Sequence, residues 1–250
     1  MKALDPTQNK NYKFLECEQA DKIDVQSVYS RVKAEMENRM KLLTSTELCE
    51  KNMMKVINTK VIPVTSYVMN VCESNMKQID EFDKLIKKVL RDKGMHGRQS
   101  SDERLYLGVE NGGRGLKSMK DVYEETKVRV ACYMAYQQSP YIKAAWKSDD
   151  RNERKSSMRY VSETLNRKNA NIKIDKEGIS ENGNPIIGTW KQAWSQVKRK
   201  IREQRKKKRK SSYMEKRMQS EIYKGLEESD HQWMRCNMDP RNVSAIIAMH

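Results

Sequence analysis

Between Lys198 and Lys210, ten of thirteen residues are Lys or Arg and only Glu203 is acidic, a net charge of +9 in one stretch. Cations at that density do one kind of chemistry well. They neutralise phosphates and release the counterions condensed around a nucleic acid, so that affinity falls steeply with salt. The candidate phosphate ligands are Lys198, Arg199, Lys200, Arg202, Arg205, Lys206, Lys207, Lys208, Arg209 and Lys210. Arg98, Arg104 and Arg114 add charge around a Gly-rich turn. Their expected role is electrostatic positioning along a backbone, without reading of base edges. A solvated tract or a nuclear localisation signal is the competing reading of the same run.

No other constellation reads as a reaction centre. Gly112-Gly113-Arg114-Gly115 is not followed by the Lys-Ser or Lys-Thr pair of a nucleotide loop, and no long apolar strand precedes it, so it reads as a plain turn. Asp149-Asp150 sits among Lys147, Ser148 and Arg151, where a two-metal centre needs carboxylates held at the end of apolar strands. It reads as an exposed loop. The cysteines, Cys17, Cys49, Cys72, Cys132 and Cys236, are odd in number and far apart, and only His231 and Cys236 make a close pair, short of the four ligands of tetrahedral zinc. With three His, none beside a recognisable nucleophile, no Ser/His/Asp set can be drawn. The expectation is a chain without catalytic residues, metal, cofactor or small-molecule substrate.

Composition supports a polyanionic partner. The 50 Lys and Arg against 34 Asp and Glu leave a formal charge of +16, which favours nucleic acid ahead of an acidic membrane. A hydrophobic fraction of 37% with 34% charged residues implies helices with narrow apolar stripes and broad wet faces. No membrane helix is expected, because the apolar run at Val61–Val64 is broken by Lys60, Pro63 and Asn70. The N-terminus lacks a signal-peptide pattern, so a reduced compartment, nuclear or cytoplasmic and not secreted, is expected.

The elements that must position these groups follow from spacing. Tyr12-Lys13-Phe14-Leu15 predicts a short strand. Val28, Val32, Met36, Met40 and Leu43 predict an amphipathic helix, and Leu48, Met54, Ile57 and Val61 a second one that Pro63 must kink or end. Ile79, Phe82, Ile86, Val89 and Leu90 predict a third, from about Asn75 to Asp92, with Gly94 as its stop. These three suit an antiparallel cluster. Then come turns around a short Leu105-Tyr106-Leu107 strand, and a helix from Met119 to Gln137 that Ser118 caps and Pro140 closes. A helix through Met158, Val161 and Leu165, a strand at Asn171 to Ile174, and a turn from Glu181 to Gly188 precede a helix carrying Trp190, Trp194, Val197 and Ile201. That helix should dissolve into the basic run, with another through Met214, Met218 and Ile222. The fold class expected is mainly α, a helical bundle with a few short strands followed by a basic helical region, in segments 1–27, 28–93, 94–180 and 181–250.

Several of these motifs, in order, resemble one family. Tyr12-Lys13-Phe14-Leu15, Asn58-Thr59-Lys60-Val61-Ile62-Pro63-Val64 with Tyr67, and Asp102-Glu103-Arg104-Leu105-Tyr106-Leu107 followed by Gly112-Gly113-Arg114-Gly115-Leu116 resemble the region downstream of the palm in LINE-type, non-LTR retrotransposon reverse transcriptases. Asp121 to Met134, Met218-Gln219-Ser220 and Asp239-Pro240-Arg241 look like its continuation. The resemblance implies a primer-grip hairpin at Tyr12, Lys13, Phe14 and Leu15, a thumb over 28–93, and a linker beyond, with the family's catalytic aspartates lying before Tyr12 and its zinc knuckle after His250. Two positions depart from the family pattern: Glu16 stands where a Gly is usual, and Gly108-Val109 where Pro-Arg is usual. The implied function is a non-catalytic fragment that grips RNA, DNA or an RNA/DNA hybrid, with the missing polymerase palm as a further partner. The alternatives are one end of an active RNA-directed DNA polymerase, or a decayed copy kept as an interaction or localisation module.

Overall fold

The computed structural model describes residues 12–14, 17–19, 24–72, 75–97, 100–151, 156–168, 170–176 and 178–215. The protein is mainly α-helical, with short antiparallel strands. β1 (Tyr12–Phe14) pairs with β2 (Cys17–Gln19) in a hairpin, Phe14 opposite Cys17. This is the strand expected at Tyr12, while Leu15 and Glu16 lie outside the described residues.

α1 (Val25–Thr44) starts where the Asp24 carboxylate accepts the Gln26 and Ser27 N–H groups at 3.1 Å, satisfying donors that have no partner inside the helix. Its buried face is Val28, Val32, Met36 and Met40, the stripe that the spacing predicts. α2 (Glu50–Val56) runs into a π-helical turn (Ile57–Val61), and α3 (Pro63–Val71) carries Pro63 at its first turn. The wider turn absorbs the proline: with no N–H to donate, Pro63 is tolerated only where a helix begins. α4 (Met76–Asp92) opens on a reciprocal cap, Lys77 N–H to the Asn75 side chain and Asn75 N–H to the Gln78 side chain, and buries Ile79, Phe82, Ile86 and Leu90.

α5 (Asp102–Tyr106) corrects the strand expected at Leu105-Tyr106-Leu107. Three residues are too few for periodicity to tell strand from helix, and Leu105, 0% exposed, is a core side chain under the Gly-rich loop. α6 (Met119–Tyr136) begins at Ser118, but the cap comes from elsewhere in the chain: Asp83 of α4 accepts the Met119 N–H (2.9 Å) and the Ser118 hydroxyl (3.1 Å). Pro140 closes nothing; it begins α7 (Pro140–Arg151). Asp149 therefore lies in a helix and not in a loop, and its carboxylate caps α8 (Ser157–Arg167) through the Ser157 and Met158 N–H groups. β3 (Ile172–Asp175), β4 (Gly178–Glu181) and β5 (Asn184–Pro185) form an antiparallel meander before α9 (Trp190–Met214).

Two cores meet along α6. The first joins the inner faces of α1 to α4 with Leu105, Leu116, Met119 and Tyr123. The second joins Val128, Cys132 and Ala135 of α6 with Val161 and Leu165 of α8, Ile172, Ile174 and Ile179 of the strands, and Ala193, Val197 and Ile201 of α9. Residues on either side of position 93 share the first core, and residues on either side of position 181 share the second. Among the described residues no helix is long and apolar enough to cross a membrane.

Candidate nucleic-acid interface

The basic run is helical throughout. α9 continues unbroken from Trp190 to Met214, started by a Thr189–Gln192 capping box and rich in Lys, Arg and Gln, which cost a helix little. The expectation that this helix dissolves at the run is thereby corrected, and a helix converts the sequence run into faces.

The inner face is a clamp. Arg205, 6% exposed, ion-pairs with Asp121 (3.0 Å), Glu124 (3.1 Å) and Glu125 (2.6 Å) of α6, and donates to the Asp121 backbone carbonyl at 3.1 Å. One turn before it Arg202 reaches Glu125 (3.2 Å), and one turn after it Arg209 reaches Asp121 (2.6 Å) while its guanidinium lies 5.0 Å from the Tyr106 ring centroid. Lys168 meets Glu124 at 3.0 Å. Burial alone would raise the Glu124 pKa, but Lys168 and Arg205 outweigh it and hold the carboxylate below its ordinary value. Lys200 is held by Glu181. Arg205 and Arg209, expected as phosphate ligands, are therefore engaged by carboxylates of the α6–α9 interface.

Arg104 and Arg114, also expected as phosphate ligands, turn inward. The Gly-rich loop folds back over α5, with the Arg114, Gly115 and Leu116 N–H groups donating to the carbonyls of Arg104 (2.9 Å), Leu107 (2.7 Å) and Leu105 (2.8 Å). Gly115 takes a left-handed φ of 69°, and the carbonyl it turns outward accepts the Asn58 side-chain N–H (2.8 Å), whose oxygen accepts the Lys117 N–H (2.9 Å). This return drives the Arg114 side chain inward to Glu50 at 2.6 Å, both side chains under 10% exposed. Burial raises the Glu50 pKa, while the charges of Arg114 and Arg104, itself 7% exposed, pull it back. The structure thus brings the Asn58–Val64 segment, α5 and the Gly-rich loop together as one scaffold. Arg98 lies outside the described residues.

The outer face is turned to solvent. Arg199, Lys206, Lys207, Lys208 and Lys210 are exposed outside the clamp, and Lys207, Lys208 and Lys210 make no ion pair among the described residues. Beside this face, α9, α6, the 106–117 loop and the start of α3 enclose a groove of about 920 Å³. Its cations are Lys117, Arg129, Lys198, Arg199, Arg202, Arg205, Lys206 and Arg209, and its acids Glu110, Asp121, Glu125 and Glu203, so the lining is net positive. Lys117, Arg129 and Trp194 belong to this groove and were missed in the sequence. The signal that could have found it is the matched spacing of Arg202, Arg205 and Arg209 with Asp121, Glu124 and Glu125, two helical stripes of opposite charge that fix which faces of α6 and α9 turn inward.

No family model matches the chain, and neither a curated protein nor a solved structure matches it. Among the described residues no three His, Cys, Asp or Glu side chains group as a metal site requires.

Proposed function

We propose that this protein grips nucleic acid through phosphate contacts made by the outer face of α9. The observation that carries the reading is the division of one basic run into two faces. Arg202, Arg205 and Arg209 on the inner face have carboxylate partners, whereas Lys207, Lys208 and Lys210 keep their charge for an external anion. Such contacts fix position and orientation, and give no sequence preference of their own.

The motif order shared with non-LTR retrotransposon reverse transcriptases supports a more specific role within the same reading: a thumb-and-linker portion that holds an RNA/DNA hybrid for a polymerase palm. The chain contributes grip, and no bond-making step is assigned to it.

The test is binding of the purified chain to an RNA/DNA hybrid, a DNA duplex and single-stranded RNA across a salt series, with DNA synthesis assayed alongside. Five exposed cations outside the clamp predict a log–log salt slope of about −3.5 to −4.5, from about −0.7 to −0.9 per phosphate contact. Replacing Lys207, Lys208 and Lys210 with Gln should flatten that slope by about 2 to 3 on every probe. Absence of binding at low salt, or a slope that the triple variant leaves unchanged, overturns the proposal.

A further inference from the structure

The groove beside α9 has a feature that phosphate contact alone does not use. Trp194, half-buried, lines one end of it, with the Lys198 ammonium 5.8 Å from the ring centroid. One part of the indole packs on the second core and so is held rigid. The other aromatic ring of the groove, Tyr106, is already covered by the Arg209 guanidinium at 5.0 Å. Trp190, one turn before Trp194, meets Tyr133 edge-on, with centroids 5.4 Å apart, and Tyr133 is 40% exposed.

Within the same groove Asp121 and Glu125 are bound to Arg202, Arg205 and Arg209, while Lys198, Arg199 and Lys206 are further cations of the lining supplied by α9. With those carboxylates neutralised by arginines, a phosphate is attracted to the remaining lining cations. The face of a base finds the indole. A duplex keeps its bases stacked on one another and presents only phosphates and groove edges, so it leaves the indole unused. A single strand offers both parts, a backbone for a cationic rail and free base faces for an aromatic platform.

We infer that the groove takes a single-stranded stretch of nucleic acid, with one base stacked on Trp194 and the flanking phosphates along Lys198, Arg199 and Lys206. The inference rests on the phosphate-gripping reading and deepens it by naming the strand state of the ligand. The single strand enters between α6 and α9, and any duplex portion stays on the outer face of α9. Stacking tolerates every base, so the site selects for unpaired bases and not for sequence.

The experiment uses the full chain with two probes of similar length, an oligo-dT single strand and a hairpin DNA duplex, followed by fluorescence anisotropy. Trp194→Leu keeps apolar bulk against the second core and removes the π-face; Trp194→Phe restores a ring. Circular dichroism checks that both variants keep the helical content. The expected result is single-strand affinity about tenfold lower in Trp194→Leu, largely recovered in Trp194→Phe, with duplex affinity unchanged. If Trp194→Leu leaves single-strand affinity unchanged while replacing Lys207, Lys208 and Lys210 with Gln weakens it, the stacking site is wrong and phosphate gripping stands. Equal weakening on both probes, without recovery in Trp194→Phe, marks a structural role for Trp194 and also overturns the inference. If the unaltered chain binds neither probe at low salt, both readings fall.

Discussion

Arg205→Met separates the two faces of α9. Arg205 is 6% exposed and serves three carboxylates, Asp121, Glu124 and Glu125, at 2.6 to 3.1 Å. Removing one partner of a buried ion pair costs about 3–5 kcal/mol, because the other is left charged and desolvated. Here each carboxylate keeps a second cation: Asp121 has Arg209 at 2.6 Å, Glu125 has Arg202 at 3.2 Å, and Glu124 has Lys168 at 3.0 Å. The thioether also fills much of the space that the guanidinium stem occupied. The loss is therefore placed at the lower end, about 3 kcal/mol, which for a domain of this size lowers the melting temperature by roughly 6–12 °C. Urea denaturation followed by circular dichroism at neutral pH measures it. In the same assay Lys207→Gln and Lys208→Gln, both exposed, should stay within about 0.5 kcal/mol of the unaltered chain. Nucleic-acid affinity should show the reverse order, with Arg205→Met within about twofold and the lysine variants weakened. Stability of Arg205→Met within 0.5 kcal/mol of the parent, or an affinity loss as large as that of the lysine variants, refutes the division into a clamp and a binding face.

Two further outcomes test the scaffold behind the groove. His96 is 1% exposed, and burial, helped by the nearby Arg114 charge and opposed by Asp102, lowers its pKa from 6.5 to about 4. Between those values the unfolded chain binds a proton that the folded chain does not, so stability should fall as pH drops from about 6.5 towards 4. Urea midpoints at pH 7 and pH 5 should differ less in His96→Gln than in the parent, and an identical pH dependence sinks the assignment. Gly113 lies where an added Cβ would overlap the Leu107 carbonyl and side chain. Gly113→Ala must therefore push the Gly-rich loop off α5, and is expected to cost about 1–3 kcal/mol with a faster-exchanging Gly115 amide. Unchanged amide protection there would show that the loop relaxes at no cost.

Local rules reach far in this chain. The stripes Val28–Val32–Met36–Met40 and Ile79–Phe82–Ile86–Leu90 are buried as their spacing requires, and Pro63 begins a helix, because period and proline chemistry are properties of neighbouring residues. They mislead where a distant partner decides. Leu105-Tyr106-Leu107 reads as a strand, yet Leu105 and Tyr106 close α5 under a folded-back loop; Ser118 stands at the N-cap as its type predicts, but Asp83 makes the capping bond; and the aspartate at 149 reads as loop, yet lies in a helix and caps α8.

The candidate site divides along the same line. A strongly cationic segment is legible in composition, since net charge needs no coordinates. Which of those cations stay exposed depends on packing. Once α9 is a helix packed on α6, its period places Arg202, Arg205 and Arg209 against Asp121, Glu124 and Glu125, and Lys207, Lys208 and Lys210 in solvent. Arg104 and Arg114 turn inward to a single buried carboxylate, Glu50, about fifty residues or more away in sequence. Charge is additive along a chain, but its accessibility depends on which face is desolvated, and desolvation is set by residues far apart in sequence that packing brings together.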